Sequence, residues 1–217
     1  MKVSQRKTIL ITYLIFIILW TLRIVLLKPL IDANLDIWMR QIVNALLKLA
    51  LWCGPAIYCI NRYNPSISLR DMFSKGFSLR MLGIFTAGAV IWHLCTMLLT
   101  NGAIQIKPFH PSQLISQFFV VGITEELLFR GWFYNALRST TTPWKANAIS
   151  SALLVTSHYP SYFLSGTGIL SIAYLSVVIF LLGLLFEYLF ERSKNIMVPT
   201  IAHSIWDLLQ LLTIGMP

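Results

Sequence analysis

Seven apolar segments follow one another along the chain, and they restrict its fold more than any other feature. They cover about residues 8–27, 41–60, 81–100, 114–137, 145–159, 169–190 and 197–214. A helix needs about 20 mostly apolar residues to cross the hydrocarbon core of a bilayer. Charged residues make up only 12% of the chain, whereas about 25% is usual in soluble proteins. We therefore predict an all-α polytopic membrane bundle with about seven transmembrane helices, of which the fifth is short.

No linker divides these segments, so we expect a single integral membrane domain over residues 1–217. The start of the chain, MKVSQRK followed by an apolar run, resembles a signal peptide. The run continues to about Leu27, however, and no small-residue cleavage site follows it. We therefore expect an uncleaved first span.

Lysine and arginine concentrate in alternate loops between the segments. Of the 17 lysine and arginine residues, three lie within segments (Arg23, Lys48 and Arg130) and three lie in one set of loops. The other set of loops contains the remaining eleven: Lys2, Arg6, Lys7, Arg62, Arg70, Lys75, Arg80, Arg138, Lys145, Arg192 and Lys194. Because cytoplasmic loops are enriched in basic residues, we predict a multi-pass protein of the cell membrane with a cytoplasmic N-terminus. This distribution explains the net charge of +9 by topology. The expected partner is therefore the lipid bilayer and not nucleic acid.

The fourth segment contains three charged residues, Glu125, Glu126 and Arg130. Each charge costs about 2.5–3.5 kcal/mol at the centre of a bilayer, so these side chains must face the protein interior or a wet cavity. Glu126 and Arg130 are four positions apart and can pair on one helix face. Glu125 points about 100° away from Glu126 and has no partner in its own helix. We expect it to be an unneutralised carboxylate facing another helix, with Gly122 on its face allowing close approach.

Two later segments carry polar side chains at a similar depth. His158 lies in the last turn of the fifth segment, before Pro160, and His203 and Asp207 are four positions apart in the seventh. We expect these three residues and Glu125 to form an intramembrane polar site. Imidazole and carboxylate groups can bind a metal such as Zn²⁺, or Glu and His can activate water without one. Both chemistries point to hydrolysis of an acyl bond.

Five further reactive side chains receive no chemical role. His93 has no polar companion at helical spacing, and His110 lies in an outer loop where we expect it to be solvated. The three cysteines, Cys53, Cys59 and Cys95, fit no metal-site spacing and are interpreted as packing residues.

The sequence resembles the CPBP intramembrane proteases, the CAAX-protease and bacteriocin-processing family also called Abi. Members are known for Glu-Glu-x-x-x-Arg, Phe-x-x-x-His and His-x-x-x-Asn or Asp on successive membrane helices. The chain has Glu125-Glu126-Leu-Leu-Phe-Arg130, Leu154-Val-Thr-Ser-His158 and His203-Ser-Ile-Trp-Asp207, and the likeness covers about residues 114–210. Leu154 stands where Phe is usual, and Asp207 where many members have Asn. Because an ionised Asp only accepts hydrogen bonds, Asp207 either orients His203 or acts in its protonated form.

The resemblance implies roles for the site residues. Glu125 would activate the hydrolytic water with His158 beside it, and His203 and Asp207 would stabilise the oxyanion or bind a metal. Glu126 and Arg130 would be a structural pair. The family name implies a metalloprotease, with Glu125, His158, His203 and Asp207 as ligands of Zn²⁺ or another divalent metal. A metal-free glutamate mechanism is equally open.

The expected activity is that of an intramembrane endopeptidase acting on a peptide or membrane-protein substrate. The small size favours a bacterial member with a role in bacteriocin self-immunity or peptide maturation. A CAAX prenyl-protein endopeptidase is an alternative, as is a non-catalytic membrane scaffold or regulator. A coupled transporter would also carry buried carboxylates, but such proteins often contain internal repeats, and none is visible in this sequence.

Overall fold

The computed structural model of the protein describes residues 2–63 and 65–213. It is all-helical, with no strand in this part of the chain. The last predicted residue of the seventh segment, Ile214, lies outside the described residues, as does the side chain of Lys2.

The N-terminal half contains four helices. Helix α1 consists of Lys2–Leu22, a π-helical stretch Arg23–Leu27 and Lys28–Asn34. Helix α2 consists of Ile37–Lys48, a π-helical stretch Leu49–Cys53 and Gly54–Tyr63. Helix α3 is Leu69–Ser74, and α4 is Leu79–Asn101. The side chain of Asp36 accepts hydrogen bonds from the backbone N–H groups of Trp38 and Met39, which fixes the start of α2. Gly102, in the left-handed conformation, ends α4.

The C-terminal half contains four more helices. Helix α5 consists of Ile115–Val120, Val121–Glu126, Leu127–Tyr134 and Asn135–Arg138, and the first and third of these stretches are π-helical. Helix α6 is Pro143–Leu164, α7 is Ile169–Ser193, and α8 is Met197–Thr213. The eight helices of the described residues thus include one at each predicted segment, together with the short α3 in the connection between α2 and α4.

The prediction that the fifth segment is short and ends before Pro160 is wrong. Helix α6 has 22 residues, and Pro160 lies inside it. A proline removes one backbone hydrogen bond, a loss that packed membrane helices tolerate. The turn beyond is closed by the backbone N–H of Ser165, which donates to the carbonyl of Ser161 at 3.0 Å.

Four helical stretches in the described residues are long and apolar enough to cross a membrane: Gln5–Asn34, Ile37–Tyr63, Leu79–Asn101 and Ile169–Ser193. The protein is therefore a membrane protein. The count of seven spans stays a prediction, because α5, α6 and α8 do not meet the same criteria of length and composition.

An aromatic core joins the first two helices to α5. The ring of Trp52 on α2 meets those of Phe16 and Trp20 on α1 edge-on, each with centroids 4.9 Å apart. Phe129 on α5 packs against the same ring at 5.8 Å, and Phe129 and Phe133 are fully buried. Edge-to-face aromatic pairs add about 0.5–1.5 kcal/mol each beyond their buried area. This core holds Lys48, one turn before Trp52, against the face of α5.

Helix α8 packs against α4, α5 and α7, and its contact with α5 is unusually close at Gly122. A Cβ atom on Gly122 would lie 2.7 Å from the carbonyl oxygen of Thr200 and 2.5 Å from Oγ of Ser204. Gly122 therefore allows α8 to approach α5 one turn before Glu125, as its position on that helix face predicted.

Candidate active site

Glu125 lies at the centre of the polar cluster and is 5% exposed. The Nζ atom of Lys48, on α2, donates a hydrogen bond to its Oε1 atom at 2.7 Å. The prediction of an unneutralised carboxylate is therefore wrong. Glu125 does face another helix, but that helix supplies a lysine, and the pair satisfies the requirement that a buried charge be compensated.

His203, on α8, is the imidazole nearest to Glu125. Its Nδ1 atom donates to Oε1 of Glu126 at 2.8 Å. Its Nε2 atom lies 3.9 Å from Oε2 of Glu125 and 3.6 Å from Oδ2 of Asp207. The ring stacks on Phe186 of α7, with centroids 4.8 Å apart. The structure thus brings Glu125, His203 and Asp207 together from two helices.

His158, on α6, is half-buried and lies within electrostatic range of Glu125. Its Nδ1 atom is 2.9 Å from the carbonyl oxygen of Leu154, one turn earlier. Because a carbonyl oxygen only accepts, Nδ1 must carry a proton. In the neutral ring Nε2 then presents a lone pair. His158 is therefore part of the electrostatic surroundings of Glu125 without being hydrogen-bonded to it.

The predicted pair of Glu126 and Arg130 is present, with Oε2 and Nε 3.1 Å apart and both side chains fully buried. The guanidinium group also donates to the carbonyl oxygen of Gly183 at 3.0 Å. It lies 3.9 Å from Oε1 of Glu187 on α7. Glu126 therefore has two functions in the structure: it compensates Arg130 and it orients the ring of His203.

Two charged residues of this cluster were missed by the sequence reasoning. Lys48 was noted within the second segment without a partner, and nothing in the local sequence relates it to α5. Glu187, in contrast, is the sole acid in the apolar segment 169–190 and is fully buried. By the rule that an intramembrane charge faces the protein interior, Glu187 could have been assigned to the site of Arg130.

The histidines outside the site have structural contacts. The Nδ1 atom of His93 is 2.9 Å from the carbonyl oxygen of Ala89, and its ring meets that of Trp206 with centroids 4.7 Å apart. His110 is half-buried, with its Nδ1 atom 2.8 Å from Oγ of Ser112 and its ring edge-on to that of Trp38.

The side chains of the cluster are not arranged as a ready-made metal centre. Within the described residues, no three or more His, Cys, Asp and Glu side chains are placed to hold a metal ion together. The Oε1 atom of Glu125 is bonded to an ammonium group, and Nδ1 of His203 is bonded to a carboxylate. These bonds leave Nε2 of His203 and Oε2 of Glu125 unused, and a metal-bound imidazole commonly donates its second N–H to a carboxylate. The metal-dependent and the metal-free mechanisms therefore both stay predictions.

Comparison with protein families supplies an independent observation. Residues 107–209 match the family described as Type II CAAX prenyl endopeptidase Rce1-like. The match agrees with the resemblance of this segment to the CAAX proteases. The Rce1-like segment contains Glu125, His158, His203 and Asp207, and it leaves out α1 to α4 and so Lys48.

No curated protein and no solved structure matches the chain.

Proposed function

We propose that the protein is a CAAX-type intramembrane endopeptidase that hydrolyses a peptide bond in a peptide or membrane-protein substrate. The observation that carries the proposal is the meeting of Glu125 on α5 with His203 and Asp207 on α8, within 3.9 Å. A carboxylate beside an oriented imidazole is a suitable arrangement for moving protons during hydrolysis. The similarity of residues 107–209 to the Type II CAAX prenyl endopeptidase Rce1-like family supports the same reaction.

In the proposed reaction, Glu125 acts as general base. Its Oε2 atom, directed at His203, takes a proton from a water molecule, and the resulting hydroxide attacks the carbonyl carbon of the scissile bond. The carbonyl electron pair moves to oxygen and forms an oxyanion. When this intermediate collapses, the C–N bond breaks and the proton on Glu125 passes to the leaving amine. General-base catalysis of this kind contributes about 10²- to 10⁴-fold.

His203 and Asp207 supply the surroundings for this step. The imidazole is held by Glu126 at its edge and by the ring of Phe186 at its face, so its Nε2 atom stays directed at Glu125. A fixed ring gives the water molecule one defined position, which is the main benefit of pre-organisation. His158 would act beside Glu125. No step of this reaction is routed through a metal.

The family description suggests the first substrate to test, a prenylated CAAX peptide. A peptide of the same sequence without the prenyl group tests the alternative that the enzyme recognises the peptide and not the prenyl group. Bacteriocin self-immunity and peptide maturation stay predictions from the sequence. So do the single domain over residues 1–217, the seven spans and the cytoplasmic N-terminus, which reporter fusions at the loops would test.

The decisive experiment is cleavage of both peptides by purified protein in lipid nanodiscs, with wild type, Glu125→Gln and His203→Ala. We expect the wild type to cleave at least one peptide and Glu125→Gln to cleave it about 10²- to 10⁴-fold more slowly. Equal cleavage by wild type and Glu125→Gln would refute the proposal and favour a contaminating protease. A parallel sample with a chelator distinguishes a metal-free from a metal-dependent mechanism. Unchanged activity agrees with the metal-free reaction. A loss of activity that is reversed by added Zn²⁺ would contradict the metal-free reaction.

A further inference from the structure

Lys48 is the one residue of the described cluster that approaches Glu125 from outside the Rce1-like segment. It lies on α2, 77 positions before Glu125 in the chain, and its side chain is 14% exposed. Its Nζ atom is also 4.6 Å from the centroid of the Trp52 ring and 5.9 Å from that of Trp20. Two aromatic faces and one carboxylate therefore hold the ammonium group in place.

The proposed reaction requires a hydrogen-bond donor for the oxyanion, and the other polar groups of the cluster are poorly suited to supply it. His158 uses its Nδ1 proton on the carbonyl oxygen of Leu154. Both nitrogens of His203 face carboxylates, Nδ1 that of Glu126 and Nε2 those of Glu125 and Asp207. An ionised Asp207 only accepts.

The ammonium group of Lys48 has hydrogen-bond donors that Glu125 does not use. An ammonium group carries three protons, and the bond to Glu125 uses one of them. Two protons are left for another acceptor beside Glu125.

We propose that Lys48 is a catalytic residue that stabilises the oxyanion, an inference that rests on the proposed hydrolytic function. In the resting site its charge is balanced by the Glu125 carboxylate. When Glu125 takes the proton of the attacking water, the negative charge leaves this carboxylate and reappears on the carbonyl oxygen of the substrate. The ammonium group is then beside a neutral acid and donates to the oxyanion, until collapse returns the charge to Glu125.

This assignment also accounts for the place of Asp207. An amide at this position could donate to an oxyanion, whereas an ionised Asp cannot. In this chain a cation from α2 supplies the missing donor. The active site is therefore completed by a helix that lies outside the family-matched segment.

The test compares wild type, Lys48→Ala, Lys48→Met and Lys48→Arg for kcat and KM on whichever peptide the wild type cleaves. Removal of one oxyanion donor lowers kcat by about 10²- to 10³-fold in well-studied hydrolases. We expect that loss in Lys48→Ala and Lys48→Met with KM little changed, and a smaller loss in Lys48→Arg. Arg40→Ala, which removes a cation two turns earlier on α2, should leave kcat unchanged.

Chemical rescue distinguishes catalysis from folding. Methylammonium or ethylammonium, added to Lys48→Ala, should restore part of kcat, whereas tetramethylammonium, which has no N–H, should not. Lys48→Met fills nearly the same volume, and its unfolding temperature shows whether the fold persists. Activity of Lys48→Met at the wild-type level, with Glu125→Gln inactive, would overturn this inference and leave the protease assignment intact. A loss in both neutral variants that no primary amine restores would also overturn it.

Discussion

The Nδ1 atom of His203 donates to Oε1 of Glu126 at 2.8 Å. The preceding residue, Glu125, faces the other ring nitrogen at 3.9 Å. Adjacent acids on one helix therefore contact the two sides of the same imidazole on α8. This explains why two carboxylates are needed side by side: one fixes the ring, and the other is left to act on water.

Glu126→Gln should lower kcat and also cost some stability, since Arg130 keeps Glu187 as its remaining carboxylate partner. The amide preserves volume but removes the charge that favours one orientation and tautomer of His203. Replacement of the equivalent carboxylate by an amide in serine proteases reduces kcat by up to about 10⁴-fold. The measurement is kcat on a cleaved peptide, with Glu191→Gln as the control, since Glu191 pairs with Lys194 and contacts no residue of the site. Retention of full activity would show that Glu126 is purely structural.

Arg130→Met should strongly destabilise the protein. The change leaves the fully buried carboxylates of Glu126 and Glu187 without their shared cation. Breaking a buried ion pair by removing one partner costs about 3–5 kcal/mol. Addition of Glu187→Met to Arg130→Met should recover part of this loss, because one unpaired charge is removed as well. Unfolding in detergent measures Arg130→Met, Glu187→Met and the double variant, and strictly additive effects would argue against coupling of the two side chains.

Gly122→Ala should reduce activity through helix separation. The new Cβ atom would clash with the backbone carbonyl of Thr200, which cannot move away independently of α8. A displacement of about 1 Å between reacting groups can lower the rate about 10²-fold. Gly88→Ala on α4 is the matched control, because its Cβ atom would meet nothing within 4 Å. Similar activity in both variants would mean that the approach of α8 to α5 is not required.

Asp207→Asn should retain activity. The Oδ2 atom of Asp207 is 3.6 Å from Nε2 of His203, beyond hydrogen-bond distance. The amide adds a donor that many members of the resembled family have at this position. In the same assay Asp207→Leu should be less active, because it has no polar atom to offer. A fall of kcat in Asp207→Asn comparable with that of Glu126→Gln would instead assign the aspartate charge an essential role.

Much of the fold follows from the sequence, because apolar segments near the width of a bilayer have few alternatives to helices. The pairing of Glu126 with Arg130 was predictable for the same reason, since spacing on a helix fixes which side chains share a face. Pro160 was misinterpreted as a helix end, although α6 continues for four residues beyond it. In a packed bundle neighbouring helices support a stretch of backbone that lacks one hydrogen bond.

The contact between Lys48 and Glu125 could not be predicted in this way. It depends on how α2 and α5 pack around the Trp52 core, and helical periodicity within either segment carries no information about that packing. Glu187 is different, because a lone acid in an apolar span indicates a buried partner from the sequence alone. The site residues of α5 and α8 could therefore be predicted from helical spacing. The contribution of Lys48 on α2 could not, because it depends on tertiary packing.

Activation of water by Glu125 is tested most directly by a single turnover in water labelled with the heavy isotope of oxygen. We predict label in the new carboxyl group of the product and none in the side chain of Glu125. We also predict that Glu125→Gln loses about 10²- to 10⁴-fold in rate, the contribution of a general base. Label in the Glu125 carboxylate would indicate direct nucleophilic attack, and a wild-type rate in Glu125→Gln would show that another group activates the water. Either result would contradict the role of Glu125 as the general base.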